Sequence, residues 1–88
     1  MLSRVLGETI RDYRLSKGLT LRDVSTEARV ALGYLSEVER GKKEASSQIV
    51  ECIAQTLDVP LSELYREVAE RLAMRELRVA ELAHLVRS

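Results

Sequence analysis

The sequence predicts an all-α protein of five helices with a further helical extension at its C-terminal end. Apolar residues recur at i, i+3 and i+4 along most of the 88 residues, and only one Pro and four Gly break the pattern. Neither observation favours β structure. A chain of this length makes one domain at most, with a modest core that often needs a partner subunit. Phe and Trp are absent, so Leu, Val, Ile and Ala must fill that core.

The first helix is expected from about Ser3 to Lys17, with Leu6, Ile10 and Tyr13 on its apolar side and Gly18 as its C-terminal cap. Thr20 is a good N-cap and Asp23 lies three residues later, in the place of the acidic partner of a capping box, so a second helix starts at Leu21. Leu21, Val24 and Ala28 share one face of it. The segment Arg29 to Ala31 breaks that face, and a third helix places Leu35 and Val38 together. Gly41 closes it, and Arg40 just before suits the negative end of the helix dipole.

Ser46 or Ser47 caps a fourth helix, in which Ile49, Val50, Ile53, Ala54 and Leu57 look inward. Asp58, Val59 and Pro60 form a break. A fifth helix starts near Leu61 and contains Leu64, Tyr65, Val68 and Leu72. Beyond Leu72 nothing stops the helix, and Leu77, Val79, Leu82, Leu85 and Val86 exceed what one narrow stripe needs. Residues 61 to 87 therefore form one long helix, or two with a bend near Met74 and Arg75. With Leu72 these apolar residues are the candidate interface of a homodimer, since unburied apolar surface usually marks a partner. The alternative is a tail folded back on its own domain.

The second and third helices are short and joined by a three-residue turn, so they cross steeply in the manner of a helix-turn-helix. The third then presents Leu32, Gly33, Ser36 and Glu37 outward beside a basic cluster, an arrangement that fits a DNA major groove. Net charge argues the other way, because fourteen basic and fourteen acidic residues cancel. Distribution answers part of this. Residues 1 to 45 carry nine Lys/Arg against seven Asp/Glu, a net +2, and Arg22, Arg40, Lys42 and Lys43 should share the docking face.

The runs LGETIRDYRLSKGLTL, YLSEVERGKK and IAQTLDVPLSELY, in that order and spacing, resemble the Cro/C1-type helix-turn-helix (XRE) family from Leu6 to about Tyr65. The run TLRDVSTEARVALGYLSEVERGKKEASS is also similar to the actinobacterial ClgR group, regulators of Clp protease genes. The resemblance implies a five-helix lambda-repressor-like DNA-binding domain over residues 1–66, with its motif at about 20–41, and a helical dimerisation extension over 67–88. It places Ala31, Leu32, Gly33, Ser36 and Glu37 toward base edges. Thr20, Arg22, Tyr34, Arg40, Lys42 and Lys43 become candidates for phosphate contacts, and Arg14 and Glu39 become a structural salt bridge. The implied partners are a second copy of the chain, a palindromic double-stranded operator and RNA polymerase. Nothing in the spacing distinguishes activation from repression.

Three positions depart from the family pattern. Arg29 stands where the turn usually has glycine, Ser25 where the first motif helix usually has alanine, and Ala31 where many relatives have a Ser or Thr cap. The last predicts a helix start that frays without DNA.

Enzymatic function finds no support in the sequence. His84 lies apart from any metal-ligand spacing and reads as a surface or dimer-interface residue, and no phosphate loop or nucleophile constellation is present. No metal or cofactor is implied. Cys52, among apolar neighbours, is expected to be a buried inert thiol. A lone cysteine permits no internal disulfide, which points to a reducing cytoplasm, and no apolar run is long enough to span a membrane. The alternative of a different class is a protein-interaction adapter or antitoxin-like module on the same fold.

Overall fold

Capping chemistry sets the limits of the helices. The structure, a computed structural model describing residues 1–87, contains α1 (Leu2–Ser16), α2 (Leu21–Ala28), α3 (Leu32–Glu39), α4 (Ser47–Thr56) and α5 (Leu61–Arg87). The Thr20 hydroxyl accepts from the Asp23 backbone N–H at 3.0 Å and the Asp23 carboxylate accepts from the Thr20 N–H at 2.8 Å, a complete capping box. The backbone N–H of Thr20, and then its side chain, hold the Asp23 carboxyl below the usual carboxylate range. Ser46 caps α4 by accepting from the Ile49 N–H at 3.2 Å. α3 opens at Ala31 with no side-chain cap.

The turn between α2 and α3 is left-handed at a non-glycine residue, with Arg29 at φ 57° and ψ 44°. That conformation is costly for a side chain, and two bonds offset it. The Val30 N–H donates to the Ser25 carbonyl at 3.0 Å, and the Ser25 hydroxyl donates back to the Val30 carbonyl. Serine at this position therefore staples the turn that joins α2 to α3.

α1 packs on α3 and α5, α2 on α3 and α4, and α4 on α5. Between them lie Ile10, Val24, Leu35, Val38, Val50, Ile53, Leu57 and Leu64, all nearly solvent-free. Burying a Leu or Ile side chain contributes about 1.5–3 kcal/mol, so this aliphatic cluster is the main source of stability in a chain without Phe or Trp. Cys52 is exposed, contrary to the buried thiol expected. Its apolar sequence neighbours mislead, because at about 100° per residue Cys52 stands roughly 150° around α4 from the centre of the buried stripe of Val50, Ile53 and Ala54.

α5 is helical without interruption through Met74 and Arg75, so of the two expected forms it takes the single helix. Its first half is anchored by Leu64 and Val68 in the core and by ion pairs to α1, Arg71 to Asp12 at 2.9 Å and Arg75 to Glu8 at 2.6 Å. The helix crosses residue 66, the expected domain limit, without a break, and the ion pairs to α1 reach Arg75. From there it projects, which gives the molecule extents of 52 × 24 × 23 Å. Leu77, Val79, Leu82, Leu85 and Val86 are exposed on the projecting part, whereas Leu72 is half-buried. Ser88, the final residue of the expected extension, lies outside the described residues.

Candidate nucleic-acid interface

Two of the eight residues of α3, Leu35 and Val38, fix its inner face, and both are buried against the other helices. Helical geometry then turns the opposite face outward. Ala31 and Gly33 are exposed, and Leu32, Ser36 and Glu37 are half-exposed. Gly33 has open space around its α-carbon, with no other group within 4 Å of where a β-carbon would stand. This short face offers a hydroxyl, a carboxylate, small apolar groups and accessible backbone.

α3 is held from behind by close backbone packing and by one buried ion pair. Gly7 of α1 sits so near the end of α3 that a β-carbon there would collide with the Val38 carbonyl oxygen and stand 2.6 Å from that of Glu39. Arg14 donates through Nε to Glu39 Oε2 at 2.8 Å and through Nη2 to Oε1 at 2.9 Å. Both residues are almost wholly buried, 9% and 6% exposed, so this is a bidentate pair in a low-dielectric setting. The hydrogen bond donated to Glu39 holds the Arg14 guanidinium above its ordinary pKa against the opposing effect of burial. Nη1 of Arg14 donates to the Leu19 carbonyl at 3.0 Å. One guanidinium thus ties α1, the end of α3 and the loop leading into α2, and so fixes the two motif helices relative to each other.

The basic residues lie at the ends of this face. Arg22 is exposed in the first turn of α2, beside the N-terminus capped by Thr20. Free N–H groups and the helix dipole make such an end attractive to phosphate. Arg40, Lys42 and Lys43 are exposed on the segment after α3. Gly41, at φ 74°, turns that segment back, and the Lys42 N–H donates to the Glu37 carbonyl at 2.9 Å. The Tyr34 hydroxyl donates to the Glu44 carbonyl at 2.7 Å. Its proton is engaged there because the loop curls back within reach of the ring. Tyr34 thereby holds the segment that carries the cations.

Sequence reasoning missed three contributors: the close approach at Gly7, the Leu19 carbonyl and the Ser25 staple. Of these only Ser25 had a signal, a hydroxyl one turn before the turn it closes. Among the described residues no group of three or more His, Cys, Asp or Glu is placed to hold a metal ion, and no helix is long and apolar enough to cross a membrane.

Two short helices crossing at a stapled turn, the second with its outer face open beside cations, define a DNA-binding helix-turn-helix protein. Residues 10–64 match the helix-turn-helix family, and the chain belongs to its Cro/C1 (XRE) type. It is 47% identical over 76 residues to the transcriptional regulator ClgR of Mycobacterium tuberculosis, an overlap of 86% of this chain and 68% of that protein. The crystal structure of the clp gene regulator ClgR from Corynebacterium glutamicum superposes with a TM-score of 0.87 at 35% identity, covering 98% of this chain and 90% of that one. The restriction-modification controller protein C.AhdI from Aeromonas hydrophila superposes at 0.68 with 27% identity, covering 70% and 94%. The chain is accordingly a transcriptional regulator of the ClgR type and not an enzyme.

Proposed function

We propose that two copies of the chain bind an inverted-repeat operator, each placing α3 in one of two successive major grooves. The observation that carries this reading is the division of α3, with Leu35, Val38 and Glu39 locked inside and Ala31, Leu32, Gly33, Ser36 and Glu37 left toward solvent. Ser36 donates or accepts at a base edge, Glu37 accepts from a cytosine amine, and Ala31 or Leu32 touches a thymine methyl. Thr20, Arg22, Arg40, Lys42 and Lys43 take the phosphates. Tyr34 serves them by holding the loop.

The second copy docks along the projecting half of α5, where Leu77, Val79, Leu82, Leu85 and Val86 are exposed and Leu72 is half-buried at the root. In this reading residues 1–66 are the DNA-binding part and 67–88 the dimerisation part. Likeness to the clp gene regulator of Corynebacterium glutamicum supports control of Clp protease genes; action in the cytoplasm and a contact with RNA polymerase are part of the same proposal.

Band shifts with bacterial promoter fragments test the DNA reading. The wild-type chain is expected to retard them, and the Arg40→Ala/Lys43→Ala variant to lose at least tenfold in affinity with unchanged helicity. No retardation by the wild type contradicts the reading and favours a protein-binding adapter.

A further inference from the structure

Outside the motif, α1 meets the end of α3 and the start of α2 at an open cleft of about 470 Å³. Its charged lining is Arg4, Glu8, Arg11, Arg14, Glu39 and Arg40. Both acids are already engaged, Glu39 by Arg14 at 2.8 Å and Glu8 by Arg75 at 2.6 Å. The other three arginines, Arg4, Arg11 and Arg40, are exposed and form no ion pair among the described residues. Pairing by α5 and by the core thus leaves the cleft with three uncompensated guanidinium groups, in a molecule whose net charge is zero.

The cleft is continuous with the α3 end of the interface. Ser36 lines it, and Gly41 packs so closely on α1 that a β-carbon there would stand 2.7 Å from the Arg4 α-carbon. Arg4 is therefore fixed beside the segment that carries Arg40, Lys42 and Lys43.

The geometry points to this cleft as an additional binding site for a DNA backbone phosphate, gripped by Arg4 and Arg11 of α1 together with Arg40. Guanidinium forks match phosphate oxygens in a bidentate way. The openness of the cleft and its continuity with α3 fit a phosphate on a long strand better than a small anion, which would be enclosed. This assignment rests on the DNA reading above. It gives α1 a positioning contact that carries no sequence information but fixes how α3 enters the groove.

The test compares the wild-type chain with an Arg4→Gln/Arg11→Gln variant, titrating salt on an operator duplex obtained by selection and on a mixed-sequence duplex. Each neutralised phosphate contributes about 0.9 to the slope of log affinity against log salt. The double variant should have a slope shallower by about 1 per subunit on both duplexes, and the Arg4→Lys/Arg11→Lys variant should retain the wild-type slope. An unchanged slope and affinity in the Gln variant overturns the site while leaving the DNA reading intact. An unchanged slope together with saturable binding of inorganic phosphate, lost in the double variant, overturns it in favour of a free phosphorylated ligand. Absence of any duplex binding by the wild type overturns both readings.

Discussion

Arg14→Ala is expected to lower the unfolding free energy by about 3 kcal/mol or more, because it leaves the Glu39 carboxylate buried without its counter-charge. For a chain of this length total stability is on the order of 10 kcal/mol or less, so a large part of it is lost. A melting temperature reduced by roughly 12 °C or more is the corresponding thermal readout. The Leu19 carbonyl loses its donor as well, which frees the loop into α2. Apolar replacement of both partners, Arg14→Met with Glu39→Leu, should recover roughly half or more of the loss, since no charge is then left stranded. Equal chemical denaturation of Arg14→Ala and wild type would refute the role given to this pair.

Gly7→Ala sets two opposing effects against each other. Alanine in a helix gains about 1 kcal/mol over glycine. Here, however, the added methyl meets the Val38 and Glu39 carbonyls, which are backbone atoms that cannot rotate aside. α1 and α3 must part, loosening Val5 and Ile10 and stretching the fork between Arg14 and Glu39. Overpacking of this kind costs about 1–3 kcal/mol and sometimes more, so after the helix gain a net loss of about 1 kcal/mol or more is expected. Gly33→Ala is the matched control. The same methyl enters open space there, and urea denaturation should show a gain approaching 1 kcal/mol. Stabilisation by both substitutions would mean that the approach at Gly7 is not tight.

These two sites also mark where the sequence stops being legible. Helix limits could be read because caps are local: Thr20, Ser46, Gly41 and Pro60 act within a few residues of themselves. The buried stripe followed from period alone, down to Leu35 and Val38. Gly7 gave no signal, since a glycine inside a helix looks the same whether it faces solvent or another backbone. The links from Arg71 to Asp12 and from Arg75 to Glu8 join residues 59 and 67 positions apart, and periodicity says nothing about such pairs. They explain why α5 stays on α1 as far as Arg75. Cys52 was misplaced by weighing its neighbours instead of its angle around α4. At the interface, the basic residues could be named from sequence, but the commitment of the Tyr34 hydroxyl to Glu44 depends on how the loop folds back.

Selection of bound duplexes from a random pool bears most directly on the claim that two copies of α3 read DNA together. The enriched sequences are expected to form an inverted repeat whose half-sites lie about 34 Å apart, one helical turn. A pool with no enriched sequence would contradict base reading by α3, and a single unrepeated motif would contradict the dimer.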